Sequence, residues 1–524
     1  IDRLQCVREK LQSTQQGIYQ QQETNEYYHH SDELLNDLQK IKDVLVEKHD
    51  SLFLPMLDQF ISAVVCFGFH FASLDLRQDS SVHQLVVGDF IKSYYDKKID
   101  YAKLSDEEKI TLLSDCLKKS APIINKEDQD RDVIASLNLV PEVQRKNGLK
   151  SMHRYVISHT QSAAHLFEVL LCAHWAGLPV QEPIVDIVPL FETIEDLDRS
   201  KQVMRECFGH PLYQKYLKKR NNRQYVMLGF SDGTKDGGYI AANWAIYQCK
   251  QQLTQLADEY GVRIVFFDGR GGPPARGGGN THQFYRALEN DFVQQEIQLT
   301  VQGQTISSKF GTEESAQFNI EQLFTAGLEP KIFPAMKVSM SNEEKKWLRA
   351  LSDSGYLSYQ ALKEHPLFVR YLEEITPLRF YGDLNIASRP PKRHHSGSMQ
   401  FNDLRAIPFV GSWSQMKQNV PGYYGLGSSL KELLKKEGEE VLREFYRSSL
   451  FFRTLINNAM MSLSKSYFPL TQYLKNDPEF GEFWTLLKDE ADLTQKTIFQ
   501  ITNQSTLLEN DPVIQNSIRL REEI

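Results

Sequence analysis

Residues 225–272 read YVMLGFSDGTKDGGYIAANWAIYQCKQQLTQLADEYGVRIVFFDGRGG, and this stretch decides the fold. It contains a strand-length apolar run (225–232), a long helical pattern (239–260) and a second apolar run (263–272). A strand, a helix of more than a dozen residues and another strand form the βαβ pattern of a parallel sheet or barrel. Neither strand alternates polar with apolar residues, which is typical of strands covered on both faces.

The same pattern recurs along the chain and predicts an α/β fold with a large helical excess. Further apolar strand candidates lie at 69–79, 154–159 and 183–192, with less certain ones at 296–303 and 402–409. Beyond residue 412 the sequence favours helices only. We therefore expect a helical segment at 1–60, a β/α core with helical insertions at 61–411, and a C-terminal helical region at 412–524 that packs on the core as part of the same domain.

Composition excludes several classes of protein. The 524 residues are 41% hydrophobic and 24% charged, as in a globular protein. A net charge of -8 gives no electrostatic basis for binding nucleic acid. No run approaches the roughly 20 apolar residues of a membrane span, and no signal peptide is recognisable, so we expect a cytoplasmic protein. The six cysteines have no CxxC spacing and are expected to be reduced and mostly buried.

Charged residues stand at the ends of the predicted strands: Arg77, Glu192, Asp232, Arg270 and, less clearly, Arg405. In parallel α/β folds the loops at the carboxyl ends of the strands converge and bind ligands. The pattern therefore indicates a binding site. The alternative, that each residue forms its own salt bridge at the rim, is equally compatible with the spacing.

Glu192 and Asp232 are candidate metal ligands. Mg²⁺ prefers hard oxygen donors and often takes one or two carboxylates, with substrate and water completing its coordination. The alternative for Asp232 is a helix cap, because a helix is predicted directly after it.

Three glycine-containing or basic stretches are candidate anion sites. SDGTKDGG (231–238), with its small residues and Lys235, is predicted to be a loop that holds a phosphate group, although it lacks the order of a P-loop. Residues 266–282 place Arg270 and Arg276 among six glycines, where bare backbone lets an anion approach. Residues 387–409 form a basic segment that would either close over an anionic substrate or remain a solvated loop. Together these features predict an enzyme for a small, multiply anionic substrate and a divalent metal.

Five stretches in this order resemble the catalytic half of phosphoenolpyruvate carboxylase of the bacterial and plant type: VMLGFSDGTKDGG, FFDGRGGPPARGGG, LTVQGQTISSKFG, ASRPPKR and LRAIPF. The resemblance implies a (β/α)8 barrel with many inserted and C-terminal helices, assembled as a cytoplasmic dimer of dimers. It implies that phosphoenolpyruvate and bicarbonate react to give oxaloacetate and phosphate through carboxyphosphate and the pyruvate enolate, an anaplerotic reaction that depends on Mg²⁺ or Mn²⁺.

The resemblance also implies roles for individual residues. Glu192 and Asp232 would bind the metal, and Arg77, Arg270 and Arg405 would bind substrate. The implied catalytic residues are Lys235, Arg276 and Arg389, the last at the start of a mobile loop. An inhibitor site for aspartate or malate would use Arg276, Lys465 and Arg521.

The sequence departs from the family pattern in two respects that matter. Asp268 replaces the histidine of FHGRGG, which puts a carboxylate close to the substrate arginines. The family's catalytic histidine, in a TAHPTE motif on the first barrel strand, occurs nowhere in 1–524. We therefore expect this chain to lack the first strand and to be an inactive fragment of a carboxylase. Alternatives are an aspartate-binding regulatory or scaffold subunit, or another phosphoenolpyruvate-using barrel enzyme.

Overall fold

The structure, a computed structural model, describes residues 2–20, 27–178, 182–288, 296–333, 339–383, 401 and 404–522. Helices account for most of these residues, and six short strands form a parallel sheet. The predicted α/β class with helical excess is therefore confirmed. The chain forms two compact units, Ile1–Pro189 with Cys207–Gln224 and Leu190–Glu206 with Tyr225–Ile524. The division at residues 60 and 411 stays a prediction.

The strands pair in chain order, β1 to β6. They are β1 (Asp75–Asp79), β2 (Arg154–Ser158), β3 (Asp186–Phe191), β4 (Arg223–Leu228), β5 (Arg263–Asp268) and β6 (Gln298–Leu299). Strand β3 starts in the first unit and ends in the second, where Phe191 pairs with Leu228 of β4. Strands β2 to β5 are almost wholly buried, which explains why their sequences lack polar alternation.

Nine of the described helices lie in the first unit, and a tenth, α9, begins in the second unit and ends in the first. They are α1 (Asp2–Gln20), α2 (Ser31–Lys48), α3 (Leu54–Phe67), α4 (Ser80–Phe90), α5 (Asp106–Leu117), α6 (Lys126–Gln129), α7 (Asp132–Asn147), α8 (Ala164–Trp175), α9 (Ile194–Gly209), which crosses the boundary, and α10 (Pro211–Lys219). Helix α8 is central, because α4, α5 and α7 all pack on it. Leu166 and Val169 of α8 are fully buried there.

The second unit contains the remaining helices. They are α11 (Phe230–Gly237), α12 (Tyr239–Tyr260), α13 (Thr281–Ala287), α14 (Gly303–Phe310), α15 (Glu313–Ile332), α16 (Asn342–Lys363), α17 (Phe368–Arg370), α18 (Ala406–Gln415), α19 (Leu426–Glu437), α20 (Glu439–Ser448), α21 (Leu450–Ser464), α22 (Gly481–Thr502) and α23 (Pro512–Glu522). Helix α12 packs on α11, α16 and β5. It therefore contacts both strand β5 and the helix that follows strand β4.

Two local predictions are wrong. Residues 402–409 were expected to form a strand, but Arg405 caps helix α18, which begins at Ala406, because Phe409, Val410 and Trp413 bury at helical rather than alternating spacing. SDGTKDGG is a helix rather than a loop. Its glycines allow α11 to lie close to the chain after β3, since a Cβ on Gly233 would stand 3.3 Å from the Glu192 carbonyl oxygen.

All six cysteines are unbridged, and four of them are buried, as predicted. Among the described helices, none has both the length and the apolar character that crossing a bilayer requires.

Glu490 of α22 accepts hydrogen bonds from the N-terminus of α19 and so links the two helices. Its carboxylate accepts hydrogen bonds from the backbone N–H groups of Gly425 and Ser428, both at 3.1 Å, and from the Ser428 hydroxyl at 2.8 Å. Gly425 is the N-cap of α19 and has no capping side chain of its own. A carboxylate at this position satisfies N–H groups that the helix leaves unpaired and complements the positive end of its dipole.

We expect Glu490→Ala to lower the free energy of unfolding by about 2–3 kcal/mol, because it leaves buried N–H donors without an acceptor. Glu490→Gln keeps one carbonyl acceptor and should cost less. The exposed neighbour on the same helix provides a control, and Asp489→Ala should stay within about 0.5 kcal/mol of the wild type. Urea denaturation measures all three, and equal stability of the Ala and Gln variants would contradict this capping role.

Candidate active site

A glycine-rich loop joins β5 to α13 and carries two arginines. The loop runs from Gly269 to Gly279 and folds back on itself around a short turn at Pro274–Arg276. A Cβ on Gly278 would lie 1.8 Å from the Gly272 carbonyl oxygen, and one on Gly271 would lie 2.0 Å from the Thr300 carbonyl oxygen. Only glycine permits such close approach of backbone to backbone, so these residues fix the shape of the loop.

Arg270 is buried inside this loop and is 3% exposed. Its guanidinium donates to the carbonyl oxygens of Gly278 at 3.1 Å and Asn280 at 3.4 Å. The group also stacks on Phe284, with 4.0 Å between the guanidinium carbon and the ring centroid. Burial lowers the pKa of Arg270, because the charged form loses its hydration. Arg270 therefore organises the loop.

Arg276 is 5% exposed and lies on the turn of the same loop. Burial lowers its pKa to about 10, and the nearby charge of Asp232 opposes that shift. The Nε atoms of both Arg276 and Arg270 are buried without a hydrogen-bond partner among the described residues. Within the same residues no carboxylate forms an ion pair with either guanidinium. Buried charges are normally compensated, so the loop has the electrostatics of an anion site.

The two candidate metal ligands follow neighbouring strands. Glu192 comes directly after β3 and is 7% exposed, and Asp232 lies in the first turn of α11 after β4. Gly229 is the cap of α11, so Asp232 does not take that role. A Cβ on Gly229 would stand 3.2 Å from Glu192 Cγ, so this glycine leaves room for the Glu192 side chain.

These two carboxylates fit a magnesium ion that the protein holds through few ligands. Among the described residues there is no cluster of three or more His, Cys, Asp or Glu side chains placed to hold a metal. Two hard carboxylates, with the substrate and water as further ligands, are a common donor set for Mg²⁺. Glu192 and Asp232 would therefore hold a metal ion that the substrate also binds.

Lys235 and Arg405 are brought to the same part of the second unit. Helix α11, which carries Asp232 and Lys235, contacts both α18 and the Pro274–Arg276 turn, and α18 contacts that turn as well. Lys235 is 8% exposed, and its Nζ stands 4.4 Å from the ring centroid of Phe401. Arg405 is half-buried at the N-cap of α18. Four of the predicted basic and acidic groups thus sit on three elements in mutual contact.

The other predicted site residues have different positions. Arg77 belongs to the first unit, where it is exposed and its Nη2 donates to Asp75 at 3.1 Å. Arg389 lies outside the described residues. Lys465 follows the end of α21, a helix that packs against the Pro274–Arg276 turn, and Arg521 is exposed on α23. The shared inhibitor site of Arg276, Lys465 and Arg521 therefore stays a prediction.

Asp268 forms a buried network that the sequence analysis missed. Its Oδ2 accepts from Lys250 Nζ at 2.8 Å and from the Tyr285 hydroxyl at 2.7 Å. The side chains of Lys250 and Asp268 are 2% and 1% exposed. The carboxylate expected to stand beside the substrate arginines is thus neutralised by a lysine of α12. The sequence contained one signal for this network, because Lys250 is a charged residue on the buried face of α12.

Lys309 of α14 is a further basic residue near this loop that sequence reasoning did not select. Its Nζ donates to the Thr281 hydroxyl at 3.3 Å. Burial lowers the pKa of Lys309, and the positive charge of Arg270 lowers it further.

The two candidate carboxylates follow β3 and β4, and the glycine loop with its two arginines follows β5, at the carboxyl ends of parallel strands where α/β proteins place ligand-binding residues. The family model for phosphoenolpyruvate carboxylase matches residues 1–524. A protein named phosphoenolpyruvate carboxylase from Nitrosomonas eutropha is 34% identical to this chain over an alignment of 525 positions. The alignment covers 96% of this chain and 56% of that protein. The chain belongs to the phosphoenolpyruvate carboxylase family, and it spans little more than half the length of this relative.

The Asp268–Lys250 pair predicts a strong energetic coupling. We expect Lys250→Met to lower the free energy of unfolding by about 3–5 kcal/mol, because it leaves a buried carboxylate uncompensated. Adding Asp268→Asn should recover part of this loss, with a coupling energy of about 1–3 kcal/mol. The exposed Arg447–Glu444 pair of the same unit is the control, and Arg447→Met should change little. Additive effects of the two buried substitutions, measured by urea denaturation, would contradict the pairing.

Proposed function

We propose that the protein takes part in the carboxylation of phosphoenolpyruvate by bicarbonate, which yields oxaloacetate and phosphate. Family membership supports the reaction, and one observation supports the substrate class. Two guanidinium groups, Arg270 and Arg276, are buried on one loop without a carboxylate partner among the described residues. Phosphoenolpyruvate carries a phosphate and a carboxylate, so it supplies the negative charge that such a loop requires.

Arginine suits both anionic groups of this substrate, because its planar fork donates two parallel hydrogen bonds to carboxylate or phosphate. We assign Arg270 and Arg405 to substrate binding, with Arg77 of the first unit as a further substrate arginine by family resemblance. Arg276 and Lys235 would stabilise charge that develops during the reaction, and Arg389 is assigned to catalysis by resemblance alone. Burial would strengthen the contacts of Arg270, Arg276 and Lys235, since there is little water to screen them.

Glu192 and Asp232 would hold Mg²⁺ or Mn²⁺. When bound, the metal supplies Lewis-acid polarisation of substrate oxygens. The charge of Asp232 also favours the charged form of Arg276, since it opposes the lowering of the Arg276 pKa by burial.

In the proposed reaction the phosphoryl group is transferred first, and the carbon–carbon bond forms second. A bicarbonate oxygen attacks phosphorus, and the bond between phosphorus and the enol oxygen breaks, giving carboxyphosphate and the pyruvate enolate. Carboxyphosphate then releases CO₂ and phosphate, and the enolate carbon bonds to CO₂ to form oxaloacetate. Negative charge grows on the phosphoryl oxygens and on the enolate oxygen, where Arg270, Arg276 and Lys235 can stabilise it.

Family resemblance extends the proposal beyond the site. It supports closure of the sheet into an eight-stranded barrel in the complete enzyme, a cytoplasmic location, a dimer of dimers and feedback inhibition by aspartate or malate through Arg276, Lys465 and Arg521. The packing of α21 on the turn that bears Arg276 supports the last point, because it links one inhibitor residue to the helix that precedes another.

The reaction itself is tested with labelled bicarbonate. The full-length gene product, supplied with phosphoenolpyruvate, Mg²⁺ and labelled bicarbonate, should place label in oxaloacetate, trapped as malate by NADH and malate dehydrogenase. Phosphate release without label in a four-carbon acid would overturn the proposal and favour another phosphoenolpyruvate-using enzyme.

The metal assignment predicts that Glu192→Gln and Asp232→Asn each weaken Mn²⁺ binding in the presence of phosphoenolpyruvate by about tenfold or more, because a neutral amide is a poorer ligand than a carboxylate. Paramagnetic resonance of free Mn²⁺ measures this binding. Glu195→Gln is the matched control, since Glu195 is exposed on α9 and pairs with Arg199. Unchanged Mn²⁺ affinity in both site variants would show that the metal binds elsewhere.

A further inference from the structure

A histidine and an aspartate meet at the carboxyl ends of β1 and β2 in the first unit. Asp79 is the last residue of β1 and pairs in register with Ser158, the last residue of β2. His159 follows directly, and its Nδ1 lies 2.8 Å from Asp79 Oδ2. The carboxyl ends of parallel strands are where α/β proteins place ligand-binding side chains.

The backbone of His159 has a conformation that costs energy. Its φ is 52°, in the left-handed region that residues other than glycine rarely adopt. The Ser80 hydroxyl donates to the His159 carbonyl oxygen at 2.8 Å and holds the peptide in this position. Strained conformations persist where the surroundings fix them, and they are concentrated at binding and catalytic sites.

Asp79 is fixed from both sides. Its Oδ1 accepts from the Ser81 N–H at 3.0 Å and the Ser81 hydroxyl at 2.7 Å, while Oδ2 also accepts from the Ser158 hydroxyl at 3.3 Å. Although burial opposes it, hydrogen bonds from His159 and Ser81 hold the pKa of Asp79 well below its usual range. The carboxylate therefore stays ionised and orients the imidazole, as a carboxylate does in an aspartate–histidine pair.

Charged and titratable groups surround the His159–Asp79 pair, so protonation of His159 changes the net charge of this surface. Titratable and charged groups face it from β1, β2, α4 and α8: Asp75, Arg77, Arg154, His83 and His165. Asp75, Arg77 and Asp79 alternate along β1 and so share one face of the strand. Arg77 and Arg154 both pair with Asp75. Protonation of His159 adds one positive charge beside Asp79 and so makes this surface more favourable for an anion.

A comparison with the neighbouring histidine distinguishes a reachable pair from a purely structural one. His83 is fully buried against the Tyr155 hydroxyl at 2.8 Å, and burial lowers its pKa to about 4. In contrast, the side chains of His159 and Asp79 are 31% and 33% exposed. A small anion can reach the second pair and cannot reach the first.

We propose that His159, held by Asp79, is a proton-carrying contact for a phosphate or carboxylate group beside Arg77. The identification of that anion with phosphoenolpyruvate rests on the proposed function, whereas the contact itself rests on the geometry of the first unit. Protonated His159 donates a hydrogen bond to the anion, so affinity rises as the pH falls through the titration of the imidazole. Asp79 is a positioning residue, because it acts through His159.

His159→Asn tests the contact without removing its structural role. Asparagine tolerates the left-handed conformation, and its amide N–H can still donate to Asp79. The variant therefore keeps the local fold and lacks only the titrating ring. Asp79→Asn is the complementary change, since asparagine also caps a helix but leaves the imidazole without its carboxylate. His174→Asn, in the same unit, is the control.

Calorimetry with phosphoenolpyruvate and Mg²⁺ at pH 6 and pH 8 provides the first readout. We expect His159→Asn to weaken binding about tenfold at pH 6 and by less at pH 8, because the protonated fraction of the wild-type ring falls as the pH rises. Comparing the two proteins at each pH cancels the titration of the substrate phosphate. Equal affinities at pH 6 would overturn the proposal, and so would an equal loss at both pH values, which indicates a structural defect.

Proton–carbon spectra of histidine labelled at Cε1 provide the second readout, with the His159 signal assigned by its absence from His159→Asn. Inorganic phosphate should shift this signal, and Asp79→Asn should move its titration midpoint to lower pH. A signal that neither phosphate nor phosphoenolpyruvate moves would refute the contact, whatever the calorimetry shows elsewhere. A shift with phosphate but no binding of phosphoenolpyruvate would uphold the contact and count against the proposed function.

Discussion

The burial of two guanidinium groups on one glycine loop is the constraint on which the site depends. Arg270 and Arg276 are 3% and 5% exposed, and no carboxylate of the described residues pairs with either. A buried cation is stable only if its charge is met by dipoles, by a counter-charge or by a ligand. Arg270 is compensated in part by loop carbonyls, and Arg276 in part by the charge of Asp232. We propose that a substrate anion supplies the remaining compensation.

The burial of these two arginines explains several contacts of the glycine loop. The glycines let loop carbonyls approach Arg270, and Asn458 of α21 fills the space beneath Gly279 so closely that a side chain there would collide with it. The Ser231 hydroxyl of α11 donates to the Arg276 carbonyl at 3.2 Å and ties the loop to the helix that carries Asp232. These contacts and the close packing at the glycines fix the position of the loop on α11 and α21.

The sequence predicted those parts of the protein that depend on local pattern. The strands β4 and β5 and the helix α12 lie where the apolar runs and the helical spacing of 225–272 indicated. SDGTKDGG was misjudged because three glycines favour a loop locally, whereas packing against Glu192 and α12 selects a helix. Arg405 was assigned to the predicted strand 402–409 because a short apolar run does not distinguish a strand from a helix.

Contacts that depend on pairing between distant segments were beyond the reach of the sequence. The link between Asp268 and Lys250 requires the register of α12 on β5, and the link between His159 and Asp79 requires the register of β2 on β1. The resemblance to a family identified Glu192, Asp232 and the arginines, but it gave no indication of these pairs, because Lys250 and His159 lie outside the motifs that carry the resemblance.

The most direct test of this account is the stability of the second unit as a function of phosphoenolpyruvate concentration. A ligand that completes the charge of buried arginines stabilises the folded state, by about 2.7 kcal/mol at one hundred times its dissociation constant. Urea denaturation with Mg²⁺ should show this rise in the wild type and its loss in Arg276→Met. An equal rise in both proteins would contradict the claim that the buried arginines of the glycine loop bind the substrate.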